Sequence, residues 1–336
     1  MSESTIPSYE GEDLRGHDFS GQPLAESNFE DADLTGAIFS GCNLQGANFR
    51  GASLEEASFV GADLSRACLA QASLANADFT DATMVHMDLS ECSLSDLDWK
   101  GRNLKGCRFE MTHFRDVSFR GTKLEEAFFE DAYFSGCDFS LAVLRGANFH
   151  SSHWEKCDVL EADLTDALLT DVVINEVRLN GSTLKKANLE NGEWVQCDMG
   201  LCQFTNCNLE GISLQRSTAQ GSEFQNCEAP DAVIEFSDLS RVMMTETSLR
   251  RASLVGSNLE GIRFSKVLLA EADLFWTDID RESLSGFGGE HIRWPAPLPS
   301  AVGPSQTPPN IKPKRQYPEA LTEDQRKLFL SGVKNG

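Results

Sequence analysis

Cys197, Cys202 and Cys207 fall five residues apart in WVQCDMGLCQFTNC. Three thiols in so short a stretch could hold a zinc ion, because thiolate is the commonest ligand of structural zinc. A second set, His150, His153 and Cys157 in FHSSHWEKC, offers two imidazoles and a thiol. Whether either set converges depends on the elements that carry it. The same five-residue spacing pervades the chain, and it decides the question.

From Leu14 to Leu284, every fifth residue is apolar. Most of these centres are Leu or Phe, and the remainder are Met, Trp, Val, Ile and the two alanines Ala219 and Ala229. The position two before the centre is mostly Ala, Cys, Ser, Thr or Val. A period of five is neither the 3.6 of a helix nor the 2 of a strand. Repetition at a fixed short period signals a stacked architecture, in which each coil buries its inner side against its neighbours. From Leu14 to Leu64, Leu and Phe alternate strictly. A four-sided coil of twenty residues satisfies this, with Phe on two opposite sides and Leu on the other two. The large centre and the small residue face inward, and the other three positions of each step face water.

This register demotes the thiols. Cys42, Cys92, Cys107, Cys137, Cys157, Cys197, Cys202, Cys207 and Cys227 all occupy the small inward position, and only Cys68 lies elsewhere. There Cys serves as a small buried hydrophobe. Cys197, Cys202 and Cys207 go to three different sides, and His150 and His153 point away from Cys157, so no metal site is expected. Cys137 with Cys157, and Cys207 with Cys227, are twenty apart and stack. Parallel, in-register side chains leave their β-carbons too far apart for an unstrained disulfide, so free thiols are expected. Trp99, Trp154 and Trp194 are centres and fill core. The coil holding Ala219, Ala229 and Pro230 is expected to be underpacked or narrowed.

The motif A-(D/N)-L-x-x, seen at Ala32-Asp33-Leu34, Ala62-Asp63-Leu64, Ala162-Asp163-Leu164 and Ala272-Asp273-Leu274, closely resembles that of the pentapeptide repeat proteins. The resemblance spans residues 12–286. It implies that family's all-β fold, a right-handed quadrilateral parallel β-helix. Fifty-five steps at four per coil would give about 14 coils and a rod roughly 65 Å long. Residues 1–11 are read as a lead. After the repeats, 287–320 are read as a Pro-rich linker and 321–333 as a short helix with Thr322 as N-cap. Leu321, Leu328 and Phe329 give that helix an apolar side suited to a partner's groove, or the tail folds back as a cap. Phe275, Trp276 and Trp294 could form an aromatic landing near the C-terminal end.

Formal net charge is -23, which argues against direct binding of nucleic acid or of an anionic membrane. The N-terminal MSESTIPSYEGEDL lacks a basic, then apolar, leader, and no apolar run has the length of a membrane span. Ten cysteines in such a chain suit a reducing compartment, so a cytoplasmic location is expected, signal-less secretion being compatible with the same features. Residues 101–150 interrupt the acidity with seven bases and seven acids. Arg102, Lys105, Arg108, Arg115, Arg120 and Lys123 lie there, a candidate docking zone for an acidic partner.

An enzyme is disfavoured, because a filled interior without loops builds no pocket and no nucleotide, zincin or nucleophile-elbow motif occurs. No cofactor is expected. The expected role is a protein-binding scaffold or adaptor, with end-to-end pairing of two copies as an option. The resemblance implies two settings. Stand-alone family members occur in bacterial gene clusters for contractile secretion systems. Others mimic duplex DNA and bind DNA gyrase or another type II topoisomerase, modulating quinolone sensitivity; the balanced zone and the lack of projecting loops weigh against this alternative.

Overall fold

The computed structural model describes residues 6–279 and 291–293. Over these residues the chain is a parallel β-solenoid in which nearly every five-residue step pairs with the step twenty residues ahead, from Ser8 with Asn28 to Asp273 with Arg293. Twenty residues divided into steps of five make a four-sided coil. The sides are named here by their centres: face 1 carries Leu14, Leu34 and Leu54; face 2 Phe19, Phe39 and Phe59; face 3 Leu24, Leu44 and Leu64; face 4 Tyr9, Phe29 and Phe49. Among the described residues, three-residue strands appear on two opposite faces. Face 1 has eight, from Ser93–Ser95 to Val233–Glu235, and face 3 has five, from Thr183–Lys185 to Arg263–Ser265. Elsewhere the faces pair at single residues.

Away from the three-residue strands most corners are hydrogen-bonded β-turns. The carbonyl of the centre accepts a hydrogen bond from the amide three residues on, as in Ala37 N–H to Leu34 O at 2.9 Å. The third turn residue adopts a left-handed conformation, φ +66° at Gly36 and +55° at Asp31. Glycine occupies it without cost, and Asp and Asn tolerate it better than other residues. Side chains here run along the rod toward the next corner. The ring of Phe236 thus lies over Gly256, where a Cβ would come within 2.6 Å of it.

The interior is closed by like residues stacking on like. Phe29 and Phe49 lie parallel with centroids 4.8 Å apart, and Phe39 meets Phe49 edge-on at 5.5 Å. Trp99, Trp154 and Trp194 are buried centres, as their register predicts. Trp154 donates its indole N–H to Ser152 Oγ at 2.8 Å. The residue two before Trp194 is Gly192, which has no hydroxyl, and the Trp194 indole nitrogen is left without a partner.

The acid or amide of the repeat motif has a structural task. The carboxylate or carbonyl oxygen at the position before the centre accepts the backbone N–H two residues on, as in Thr165 to Asp163 at 3.1 Å and Arg50 to Asn48 at 3.1 Å. This Asx-type bond prepares the corner. For Asp163, burial alone would raise the pKa, but hydrogen bonds from Thr165 and from Arg145 outweigh it and hold the carboxyl below its ordinary value. A depressed pKa contributes stability above the unfolded value near 3.9 that is lost as pH falls through the folded value. Asp163→Ala should therefore cost about 1–2 kcal/mol at pH 7 in denaturant titrations. The gap from the parent should close in acid below about pH 4.

Two boundaries differ from the sequence reading. The solenoid already includes Ser8, and Tyr9 acts as a centre by stacking on Phe29 at 4.8 Å; residues 8–11 belong to the first coil and not to a lead. At the other end, residues 291–293, read as linker, pair in register: Leu274 N–H bonds Arg293 O at 2.8 Å, and Arg293 N–H bonds Ala272 O at 2.9 Å. Pairing depends on backbone groups, so the apolar register alone could not reveal this return. The remainder of the linker, the 321–333 helix, the register at Leu284, Trp294 and the candidate residues Leu321, Leu328 and Phe329 lie outside the described residues.

Candidate functional site

The inward small position holds donors as well as fillers. Cys42 Sγ donates to Phe19 O at 2.9 Å, Cys107 Sγ to Met84 O at 2.8 Å and Cys202 Sγ to Leu179 O at 3.0 Å. Thr112, Thr122 and Ser257 donate their hydroxyls to the equivalent carbonyls of Leu89, Trp99 and Ile234. In every case the acceptor is a centre carbonyl of the preceding coil. The sequence treated these cysteines as alanine equivalents; the mixture of Cys, Ser and Thr at one register position was the available sign that a donor is useful there.

All ten cysteines are free thiols, and all but Cys68 are buried. Burial pushes Cys92, Cys107, Cys197 and Cys202 up to about 12. The hydrogen bond between stacked thiols, and then burial, push Cys157 and Cys207 upward. Those same bonds hold Cys137 and Cys227 below the ordinary thiol value, so it is burial that protects the whole set: alkylation of the native protein at pH 8 should modify Cys68 slowly and leave the nine buried inward cysteines untouched. In denaturant all ten should react, which mass spectrometry reads directly. Rapid native labelling at Cys107 would contradict the burial. Among the described residues no group of three His, Cys, Asp or Glu side chains is placed to hold a metal.

One constellation escaped the sequence reading. His150 Nε2 lies 3.2 Å from Ser151 Oγ, and its Nδ1 lies 2.8 Å from Thr170 Oγ1 and 3.7 Å from Asp171 Oδ2. The order Ser–His–Asp matches a nucleophilic triad, but the His and Asp side chains are about half exposed, 48% and 50%. Water competes at each contact. The left-handed φ of Ser151 is the property of every corner, not of this one.

The six basic candidates do not form one patch. Lys105 and Lys123 lie on face 3, where Lys123 pairs in the ladder with Asn103; Arg102, two places before the centre Leu104, falls at the inward small position of that face, half-buried, and not on the outer wall. Arg115 is on face 1, Arg120 on face 2 and Arg108 on face 4. Several are engaged locally: Lys105 with Glu126 at 3.3 Å, Arg108 with Glu110 at 2.8 Å, and Arg120 with Asp138 at 3.8 Å. The zone is a belt around the rod, and only face 3 gathers part of it. Face 2 is the contrasting wall. Its outward column includes Asp78, Asp98, Asp138, Asp158, Asp198 and Asp238, with Arg178 held against Asp158 at 2.5 Å.

Around Pro230 two shallow recesses of about 480 and 430 Å³ share Glu228 and Pro230. They lie on face 4, where the centre is Ala229, in the coil expected to be narrowed. Near the C-terminal end, Phe275 and Trp276 stack at 5.0 Å, and the Arg293 guanidinium sits 4.4 Å above the Phe275 ring. Among the described residues no helix is long and apolar enough to cross a membrane.

A family model described as "Pentapeptide repeat region" matches residues 52–129, 147–224 and 197–274. A second, "Pentapeptide repeats (8 copies)", matches 13–41, 27–66, 112–150 and 124–158. No curated protein matches the chain. Among solved structures it is similar to HetL, a pentapeptide repeat protein involved in heterocyst differentiation regulation from Nostoc sp. strain PCC 7120. The identity is 21%, covering 62% of this chain and 87% of that one, with a TM-score of 0.30. It is also similar to a trypsin-treated form of QnrB1, a plasmid-mediated fluoroquinolone resistance protein, at 18% identity, 60% and 90% coverage and a TM-score of 0.29. A third similar structure is a pentapeptide repeat protein of the Arabidopsis thaliana thylakoid lumen, at 29% identity, 39% and 68% coverage and a TM-score of 0.12.

Proposed function

The chain belongs to the pentapeptide repeat family, and from that premise we propose that it acts as a non-enzymatic protein-binding scaffold. The observation carrying this reading is the division of labour between inside and outside. Large centres and small donors fill the interior from Phe19 to Leu274. Much of the polar chemistry outside is spent on the rod itself, in Asx-type bonds at the corners and ion pairs such as Arg251 with Asp231 at 2.6 Å. What remains for function is shape and charge along four flat walls. Face 3, with Lys105 and Lys123, is the wall offered to an acidic protein surface. A place in a bacterial secretion-system assembly would be one setting for such a scaffold, and gene neighbours test it.

Affinity capture should compare the parent with Lys105→Glu/Lys123→Glu and with a chain ending at Ser300. Partners lost only from the charge-reversed variant support docking on face 3. Partners lost only on truncation assign docking to the tail that carries Leu321, Leu328 and Phe329. Identical partner lists from all three reject both surfaces.

The aspartate column on face 2 favours a second reading, in which the rod presents a DNA-like row of anionic groups to DNA gyrase. Its spacing, about 4.8 Å from coil to coil, is wider than the charge spacing of duplex DNA, and Arg120 and Arg178 neutralise part of it. A supercoiling assay with and without a quinolone decides the point: neither inhibition nor protection sinks the mimic.

A further inference from the structure

Among the described residues the twenty-residue ladder is interrupted on three successive walls inside the rod, apart from the single pairing of Asn258 with Asp278 lost near the C-terminal end, where Leu259 N–H bonds Asp278 Oδ1 at 2.6 Å instead. In the coil below, Leu54, Phe59 and Leu64 donate their amides upward to Ser73, Asp78 and Thr83 at 2.8 Å each. The corresponding amides of Leu74, Phe79 and Met84 make no such bond to Ser93, Asp98 and Asn103, and no pairing joins those positions. The loss covers faces 1, 2 and 3. On face 4 the ladder is whole: Leu69 bonds Asp88 O at 2.7 Å, Gln71 bonds Ser90 O at 3.0 Å and His86 bonds Lys105 O at 2.9 Å. The opening is thus a wedge, closed along one wall. Its lips are slightly less buried than the neighbouring core, with Leu74 and Phe79 at 4% and Ala77 at 7% where Leu54, Phe59 and Ala57 are at 0%. The ring column of face 2 breaks at the same place. Phe59 stacks on Phe79 at 5.2 Å, and the next ring contact on that face is Trp99 with Phe119 at 5.6 Å.

The cause is legible in two side chains. The inward small residue packs toward the centre carbonyl of the preceding coil, as the Cys, Ser and Thr donors show. Above Leu74 and Phe79 that position holds Leu97 and Arg102. Met87 and Ile212 are as large at this position and are buried beside a whole ladder, so the exception is the pair: the Arg102 charge resists burial, and Leu97 next to it stays half-exposed. A large or polar inward residue also marks the first coil, where Glu12, His17 and Gln22 face an open end. The coil containing Leu97 and Arg102 is built like a new beginning.

We infer that this rod is two stiff segments joined by a hinge along face 4, with Leu97 and Arg102 above two of the three unpaired walls and only the Cys107 thiol, bonded to Met84 O at 2.8 Å, reaching across the third. A solenoid coil touches only its neighbours, so removing the interface on three walls leaves one wall to carry the connection, and the segments bend about it. Partners that dock on both segments then meet an adjustable spacing.

Spin labels test this in the full chain. Label pairs at Ser53/His113, Asn48/Arg108 and Glu193/Ser253 each span sixty residues, three coils. The first pair crosses the open wall, the second crosses the hinge wall, and the third lies in the unbroken ladder. Electron–electron distance measurements should give a broad distribution for Ser53/His113 and narrow ones for the other two. Hydrogen exchange should be at least tenfold faster at Leu74, Phe79 and Met84 than at Leu54, Phe59 and Leu64. Equal widths with equal protection would overturn the hinge. In Leu97→Ala/Arg102→Ser the serine hydroxyl can reach the Phe79 carbonyl, and protection at Leu74, Phe79 and Met84 should rise to that of the coil below. A variant that folds but keeps the fast exchange would overturn the assignment to these two side chains.

Discussion

Ala147→Asp should unfold more of this protein than any surface change. Ala147 is wholly buried at the inward small position, with Ala127 and Ala167, equally buried, one coil below and one above. A carboxylate there would lose its hydration and find no cation. Burial shifts carboxyl pKa values upward by up to about 3–5 units, and each unit is 1.36 kcal/mol. The expected penalty at pH 7 is about 4–7 kcal/mol, measured by denaturant unfolding. The sign of the pH dependence follows. A raised folded pKa makes the penalty grow as pH rises above about 3.9, so the variant should approach the parent in acid. Ala147→Ser is the control. Its hydroxyl can donate to the carbonyl of Leu124, as Ser257 does to that of Ile234, and it should cost less than about 1 kcal/mol. Equal losses for Asp and Ser would show that volume, not charge, governs the inner wall.

Phe129→Ala is expected to be nearly as damaging. Its ring is wholly buried and stacks between Phe109 at 4.9 Å and Phe149 at 4.8 Å. It also meets Phe134 edge-on at 5.5 Å. Truncation removes the transfer free energy of the ring and leaves a cavity that the stacked neighbours cannot fill without abandoning their own partners. The expected loss is about 3–5 kcal/mol. Because stability in a solenoid is carried by nearest-neighbour interfaces, hydrogen-exchange protection should fall first in the coils that hold Phe109 and Phe149. Residues above Asn188 should keep theirs. A uniform loss confined to the coils past the opening would instead show that this segment unfolds as one unit.

Both substitutions can be chosen from the five-residue register alone, and that measures how much the sequence contains. The apolar centre and its small companion dictate a coil because no helix or strand can satisfy a period of five. The Leu and Phe alternation supplies four sides because like residues must stack at twenty. The burial of nine cysteines and the scattering of Cys197, Cys202 and Cys207 over three walls follow from the same register. The comparisons place the chain in the family that the A-(D/N)-L-x-x motif resembles.

What the register could not supply was anything that depends on the backbone or on distance around the rod. The six basic candidates are close in sequence, yet twenty residues carry the chain once around, so neighbours in sequence disperse over four walls. The return of residues 291–293 to the ladder rests on amide and carbonyl pairing, which has no side-chain period. Leu97 and Arg102 were visible as exceptions at an inward position, but only the stacked structure shows which carbonyls they displace. The sequence by itself determined the coil, its sides and its inner wall, because those are set by which side chains must leave water. The tertiary structure decided where the ladder opens and which charges share a wall, because these are set by contacts between coils twenty residues apart.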